Sequence, residues 1–258
     1  MTKTMKALVL KVHGELGDLE LVRDYPIPLA VAGHVVIRVR ASSFNYHDLF
    51  TVKGMPGIPV PLPVIIGLDM AGEITKLGDG VGNWKVGDRV LVNPVNKKKG
   101  LMGEMLDGGM AEYCLVSADQ LVRIPDRVSF AEAASLPVAY GTAHRMLITH
   151  NTVKRSDKVL ILGASGGVGT ACVILAKLLG ADVIACASGE EKLLRLKKLG
   201  ADEEWSTTPK SIGRSGQSRS MASHNAVPMT AASTLSSISP VGIPGSPLCV
   251  ASSAAASC

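Results

Sequence analysis

A glycine-rich segment between residues 158 and 202 constrains the fold of this chain most strongly. Lys158–Leu162 is a short apolar run, a helix is predicted over Val168–Leu179, and a second apolar run covers Asp182–Ala187. The turn into the helix is made from five residues: Ser165, Gly166, Gly167, Val168 and Gly169. Glycines let a backbone approach a pyrophosphate closely, and the start of the helix offers free amides and a positive dipole. The segment therefore predicts a parallel βαβ unit that binds a dinucleotide.

The residues after the second strand indicate which dinucleotide binds. In NAD-binding units an Asp or Glu usually ends this strand and binds the ribose 2′-hydroxyl. Ser188 occupies that place here, and Lys192 follows four residues later, where its ammonium group could meet a 2′-phosphate. Glu190 and Glu191 begin the next helix and are interpreted as partners of its positive end. The pattern favours NADP over NAD, and thus NADPH as the reduced cofactor.

The residues ahead of this unit read as a β-rich domain, which makes the chain as a whole α/β. Short apolar or alternating runs, bounded by Gly, Pro and Asp, predict these strands: Ala7–Lys11, Val35–Ala41, Gly72–Leu77, Arg89–Val92 and Ala111–Val116. Ser129 and Glu132 have the spacing of a helix capping box, and a further helix is predicted over Tyr140–Thr149. We therefore place one domain at residues 1–128, a nucleotide-binding domain at 129–204 and an aberrant tail at 205–258.

Charge and apolar runs exclude several classes of partner. The net charge is +5, but there is no basic stripe with interleaved aromatic residues, so nucleic-acid binding is not predicted. The first residues lack the apolar region and cleavage site of a signal peptide, and no run of about 18 apolar residues predicts a membrane span. The five cysteines are scattered without a CxxC pair, which fits neither a disulfide framework nor a zinc knuckle. We expect a cytoplasmic protein.

Several motifs of the chain resemble those of one known family. They are Ser43–Asp48 (SFNYHD), Gly67–Gly72 (GLDMAG), Val86–Val90 (VGDRV) and the glycine loop itself. Over residues 5–204 the chain is similar to the medium-chain dehydrogenase/reductase superfamily, in its zinc-free, quinone oxidoreductase-like branch. The resemblance implies a GroES-like β-rich domain followed by a Rossmann domain, with the active site in the cleft between them. It also implies a homodimer for the intact enzyme.

The resemblance implies that zinc is not used. Zinc-dependent relatives carry ligands at the positions that match Asn45, Leu68 and Val138, and none of these side chains suits zinc. The structural-zinc lobe of those relatives has four cysteines, whereas this chain has only Cys114 there, which we interpret as a small core residue. The expected cofactor is NADPH, with no metal.

The implied reaction is the reduction of a quinone or of an α,β-unsaturated carbonyl compound by hydride transfer from NADPH. Asn45 would face the cofactor or substrate. Tyr46 and His47 are candidate proton donors, with a packed ring and a structural histidine as the open alternatives. Thr142 would lie near the nicotinamide or only cap a helix. Two other functions stay open: a zinc-type alcohol dehydrogenase relative, and a non-catalytic nucleotide-binding fragment.

The family pattern ends after Glu203. A complete Rossmann domain has about six strands, but only two parallel strands are recognisable, and Ser206–Cys258 is rich in Ser and lacks Asp and Glu. This composition predicts a disordered tail. We hypothesise that the tail is frame-shifted, because a shift after Glu203 can turn both Glu204–Ser215 and Met229–Leu248 into strand-like segments. The Rossmann domain would then be incomplete, and the chain as written is expected to be inactive.

Resequencing the gene across codons 195–258 and beyond tests the frame hypothesis. We expect a single-base correction to restore an open frame that encodes further strands. A gene that confirms the present frame would make the hypothesis wrong and the tail a genuine segment.

Overall fold

The computed structural model describes residues 3–207 and 250–252. Most of the tail predicted at residues 205–258 lies outside the described residues. The chain divides into two compact units, residues 1–141 and residues 142–258. Within the described residues, no helix is both long and apolar enough to cross a membrane.

The first unit is rich in antiparallel strands. Their bounds are β1 Thr4–Leu10, β2 Leu19–Pro26, β3 His34–Ser43, β4 Val64–Ile65, β5 Asp69–Leu77, β6 Arg89–Val92, β7 Val95–Asn96, β8 Gly100–Leu101, β9 Tyr113–Ser117 and β10 Leu121–Arg123. A five-stranded sheet has the order β10-β6-β5-β3-β9, a three-stranded sheet has the order β2-β1-β4, and β7 and β8 form a separate pair. All five predicted strands are therefore confirmed, with small shifts at their ends.

The main core of the first unit lies on one face of the five-stranded sheet. Val35 and Ile37 of β3 and Met70 and Ile74 of β5 are fully buried in it. These residues are two or four apart along their strands, so their side chains point to the same face. Aromatic residues make up only 3% of the chain. Branched aliphatic side chains and methionine fill the core instead, as expected from the composition.

Helix α2 (Phe130–Ala134) belongs to the first unit. The predicted capping box is confirmed, because Ser129 Oγ accepts a hydrogen bond from the Glu132 amide and Glu132 Oε2 accepts one from the Ser129 amide. α2 contacts β3 and β5, and its Ala133 and Ala134 are buried in a cluster with Ala71. The first unit therefore continues to Gly141, whereas the sequence suggested a boundary at residue 128.

Helix α3 (Pro137–His144) begins earlier than predicted and is followed by a π-helical turn at Arg145–Thr149. Proline is favoured at the first position of a helix, because its missing N–H has no helical partner there and its φ is already helical. Thr142 is the sixth residue of α3. The interpretation of Thr142 as a helix cap is therefore wrong.

The second unit is a small sheet with two helices. Its elements are β11 Lys158–Ile161, α4 Gly167–Leu178, β12 Asp182–Ala187, α5 Glu190–Lys198, β13 Glu203–Ser206 and β14 Val250–Ser252. The strand order is β13-β12-β11-β14, with β11, β12 and β13 parallel and β14 antiparallel to β11. The predicted βαβα order is confirmed.

The expectation of only two parallel strands is wrong, because β13 is a third. Its backbone pairs with β12 in parallel, from Ile184 opposite Glu203 to Ala187 opposite Ser206. The crossover through α5 returns the chain beside β12, and backbone pairing does not depend on which side chains the strand carries. The side chains of β13 are nevertheless unusual, because strands of parallel sheets are normally apolar, whereas Glu203 and Glu204 make up half of this one.

Candidate functional site

A buried carboxylate organises the polar end of the five-stranded sheet. Asp69 begins β5 and lies opposite Ser43, the last residue of β3. Its Oδ2 accepts hydrogen bonds from Asn45 Nδ2 at 2.9 Å and from Ser43 Oγ at 3.0 Å, and its Oδ1 accepts one from the Val138 amide at 3.0 Å. Burial raises the pKa of Asp69, and these three hydrogen bonds oppose the rise. The network fixes the Asn45 side chain at the start of the next helix.

Helix α1 (Tyr46–Lys53) follows β3 and carries the predicted catalytic residues. Asn45 is its N-cap residue, and the Asn45 amide donates a hydrogen bond to Asp48 Oδ2 at 2.7 Å. Asp48 thereby ties the backbone of Asn45 to the first turn of α1. Burial raises the pKa of Asp48 to about 6; the Asn45 amide lowers it, and the charge of Asp69 raises it further.

Asp48 makes the stability of the first unit depend on pH. Because its pKa is higher in the folded chain, the folded state keeps a proton between about pH 4 and pH 6 that the unfolded state releases, so stability falls as pH rises through this window. A shift of about two units corresponds to roughly 3 kcal/mol. We expect Asp48→Asn to reduce this fall in a denaturant-unfolding series from pH 4.5 to 7, while Asp69, whose pKa burial also raises, keeps part of it. Asp126→Asn, at an exposed carboxylate, is the control, and parallel profiles of wild type and Asp48→Asn would contradict the assignment.

His47 has a partner that the sequence did not reveal. Its Nε2 donates a hydrogen bond to Glu104 Oε2 at 2.6 Å. The Glu104 side chain is 5% exposed and the His47 side chain 22% exposed. No spacing rule links two residues that lie 57 positions apart. The available signal was a single acidic residue within an otherwise apolar loop, Leu101–Leu106.

Tyr46, the other candidate proton donor, is in a different environment. Its side chain is largely exposed, and its ring packs edge-on against Phe50 with 5.2 Å between centroids. Within the described residues, no hydrogen bond to its hydroxyl is seen. A partly open cavity of about 310 Å³ adjoins α1 and is lined mainly by apolar side chains, with Asn45, Tyr46 and Asp48 among its walls. The cavity suits an apolar molecule.

The glycine loop of the second unit has the geometry expected of a phosphate-binding turn. Gly163 has a φ of +63°, which favours glycine. A Cβ on Gly169 would lie 2.4 Å from the Gly163 carbonyl oxygen and 2.7 Å from Ala164 Cα, so this position allows only glycine. The Ala164 amide donates to the Cys186 carbonyl at 2.9 Å and thereby holds the loop against β12. The start of α4 lies directly against the backbone of Gly163 and Ala164 because residue 169 has no side chain.

The start of α4 is open to a ligand. Gly166 is its N-cap residue, and no side chain among the described residues caps the helix. The first amide in the i→i−4 ladder is that of Thr170, which donates to the Gly166 carbonyl at 2.8 Å. The amides of Gly167, Val168 and Gly169 precede it and remain available for an anion. Ser165 lies in the turn immediately before them.

The two residues predicted to select the cofactor lie at the end of β12. Ser188 follows the last residue of the strand and is exposed. Gly189 then turns the chain with a φ of +85°, and Lys192 lies in the first turn of α5, also exposed. Ser188 and Lys192 thus lie at the end of β12, where the sequence predicted a 2′-phosphate site. Thr142, the remaining residue predicted near the cofactor, lies within α3 and does not cap that helix.

The described residues contain no group of three or more His, Cys, Asp or Glu side chains that could hold a metal ion. Leu68 is buried in the core. Cys114 is buried as well, and burial raises the pKa of its thiol. The interpretation of Cys114 as a core residue is confirmed.

Known proteins resemble the chain in both sequence and fold. Residues 31–126 match the alcohol dehydrogenase GroES-like domain. A zinc-type alcohol dehydrogenase-like protein of Schizosaccharomyces pombe is 36% identical over 210 residues, covering 76% of this chain and 60% of that protein. A chloroplastic NADPH-dependent alkenal/one oxidoreductase of Arabidopsis thaliana is 35% identical over 202 residues, covering 78% and 52%. The structure of the quinone oxidoreductase from Coxiella burnetii is 35% identical, with a TM-score of 0.69 and coverage of 78% and 62%.

A GroES-like unit together with a glycine-loop nucleotide unit defines a class of oxidoreductases that use a nucleotide cofactor. Within this class the chain belongs to the medium-chain dehydrogenase/reductase superfamily and is quinone oxidoreductase-like. The resemblance seen in the sequence is thus confirmed. The chain spans about half to three fifths of the length of the curated relatives described above.

Proposed function

We propose that the chain uses NADPH to reduce quinones or α,β-unsaturated carbonyl compounds by hydride transfer, without zinc. The observation that carries the proposal is the glycine loop that opens α4. Its glycines leave room for a pyrophosphate. Among the described residues no side chain caps α4, so the amides of Gly167, Val168 and Gly169 can donate to a phosphate. When bound, NADPH supplies a hydride to the electrophilic carbon of the substrate.

Two residues support NADPH over NADH. Ser188 carries no charge to repel a 2′-phosphate, and the Lys192 ammonium, in the first turn of α5, could pair with it. The Arabidopsis relative is described as NADPH-dependent. Together these features favour the phosphorylated cofactor.

The chemistry of the donor set supports a zinc-independent reaction. Asn45 uses its amide nitrogen to bind Asp69, and Leu68 and Val138 offer no side-chain donor. A cytoplasmic location and a homodimer remain predictions of the sequence.

The full chain, dialysed against EDTA, tests this function. We expect NADPH to bind in a calorimetric titration, and any NADPH oxidation to depend on added 1,4-benzoquinone or 2-cyclohexen-1-one and to exceed the rate seen with heat-denatured chain. With NADPH deuterated at C4, the label should reach the β-carbon of the enone. Zinc-dependent oxidation of a simple alcohol would favour the alcohol dehydrogenase alternative. NADPH binding without oxidation would favour the nucleotide-binding fragment and the inactive chain expected from the sequence.

Reversing the charge of Lys192 tests the choice of cofactor. We expect Lys192→Glu to weaken NADPH binding about tenfold or more, because a charge-assisted contact to phosphate is lost, while NADH binding changes little. Lys198→Glu is the matched control, since it makes the same charge change about 9 Å further along α5. Equal losses for the two variants in calorimetric titrations would point to a general charge effect and against a 2′-phosphate site at Lys192.

A further inference from the structure

Glu104 is a buried carboxylate in a loop that is held rigidly in place. The Gly103 amide donates to the Leu106 carbonyl at 2.7 Å, and the Met105 amide donates to the Leu101 carbonyl at 2.9 Å, which closes a tight turn around Glu104. A Cβ on Gly103 would lie 2.7 Å from the backbone of Gly67, so the turn packs backbone against backbone. The carboxylate therefore has a fixed position relative to the segment that leads into Asp69.

The contact between Glu104 and His47 uses only one nitrogen of the imidazole ring. Nε2 donates to Glu104 at 2.6 Å, while Nδ1 has no hydrogen-bond partner within the described residues. The ring is partly exposed, whereas the carboxylate is buried. Phe50 lies against the ring, with 6.2 Å between the two centroids. This is the arrangement in which a carboxylate sets the tautomer and orientation of a histidine that works through its other nitrogen.

A purely structural salt bridge explains this arrangement less well. Removing a carboxylate from water costs several kcal/mol, which one ion pair rarely returns, so buried ion pairs contribute little to net stability. The loop is already held by its glycines and backbone hydrogen bonds. Asp48, a second carboxylate close to His47 on the same helix, is engaged by the Asn45 amide. Glu104 is thus the group that aims the ring.

We propose that Glu104 is a positioning residue that holds His47 as the proton donor of the reaction. This inference rests on the proposed function. When bound, NADPH would supply a hydride to the β-carbon of the enone, and the C=C π electrons would move to the carbonyl oxygen to give an enolate. The enolate oxygen takes the proton from His47 Nδ1, and His47 later regains a proton from solvent. The Glu104 carboxylate balances the positive charge of the ring before this transfer.

The test uses the full chain with the variants Glu104→Gln, His47→Gln and the double variant, and it has two readouts that need no turnover. The first is the ¹⁵N chemical shifts of the His47 ring, which report the protonation of each nitrogen. The second is the affinity for 4-nitrophenol near neutral pH, because its oxygen mimics the enolate and its visible absorbance reports ionisation. Glu104→Gln keeps the size of the side chain, and Glu20→Gln, at an exposed pair with Lys11, is the control.

We expect the His47 ring shifts to change in Glu104→Gln but not in Glu20→Gln. Each single variant should weaken 4-nitrophenol binding about tenfold, and the double variant should be no weaker than either. If the chain also oxidises NADPH, kcat should fall in the same non-additive way with little change in KM. Unchanged ring shifts, additive losses, or no binding by the wild type would overturn the inference. If the two single variants and the double variant weaken 4-nitrophenol binding equally in a chain that oxidises no NADPH, the positioning of His47 by Glu104 stands and the proposed function fails.

Discussion

Gly169→Ala should destabilise the second unit by about 3 kcal/mol, although alanine normally stabilises a helix by about 1 kcal/mol relative to glycine. The reason is steric. The new methyl group would lie 2.4 Å from the Gly163 carbonyl oxygen and 2.7 Å from Ala164 Cα, which are backbone atoms that cannot rotate away. Either the start of α4 moves away from the turn at Gly163 and Ala164, or that turn changes shape. In both cases NADPH binding should be lost as well.

Gly166→Ala is the matched control for Gly169→Ala. Gly166 lies in the same loop and has a φ of −78°, which any residue can adopt. A Cβ on Gly166 would come no closer than 3.5 Å to another group, the Gly163 carbonyl oxygen. The free energy of unfolding of Gly166→Ala should therefore be close to that of the wild type. The chain has two tryptophans, and Trp205 on β13 lies in the second unit. Its fluorescence in a Trp84→Phe background therefore reports unfolding of that unit alone. Equal stability of the two alanine variants would show that Gly169 does not pack this closely on Gly163 and Ala164.

The glycine loop could be predicted because everything that defines it is contiguous in sequence. Strand, turn and helix follow one another within about 20 residues, and the bounds predicted for β12 and β6 were found unchanged. The capping box of Ser129 and Glu132 is equally local. The close contacts within the loop and the capping box join residues at most six positions apart, such as Gly163 and Gly169 or Ser129 and Glu132, so the pattern of the sequence is also the pattern of the structure.

Features that depend on distant partners were not predictable. The Glu104 partner of His47 comes from another loop, and no local rule identifies it. Strand β2 was missed because most of its residues are exposed or only partly buried, which hides the alternation expected of a strand. β13 was missed because its side chains are polar, while its pairing with β12 uses only the backbone. The start of α3 was placed three residues too late, at Tyr140, because proline at the first position of a helix was not considered.

Asp69→Ala should have the largest effect in the first unit, a loss of about 3 kcal/mol or more. Three donors lose their acceptor at once, namely Asn45 Nδ2, Ser43 Oγ and the Val138 amide. Each of these partly buried donors left without a partner costs at least about 1 kcal/mol, and the relief of a buried charge offsets part of the sum. Trp84 fluorescence in a Trp205→Phe background measures the unfolding of this unit. Asp126→Ala, at an exposed carboxylate, should leave stability unchanged.

Asp69→Asn separates the loss of charge from the loss of acceptors. An amide offers one acceptor oxygen and one NH2 group, so at one of the two carboxylate positions an N–H would face another donor. The free energy of unfolding of Asp69→Asn should therefore lie between those of wild type and Asp69→Ala. If the main role of Asp69 is instead an unfavourable buried charge, consistent with the rise of its pKa on burial, Asp69→Asn should stabilise the unit. The order of the denaturation midpoints of wild type, Asp69→Asn and Asp69→Ala thus decides whether hydrogen bonding or desolvation dominates at this carboxylate. If hydrogen bonding dominates, Asp69 holds the Asn45 side chain in place.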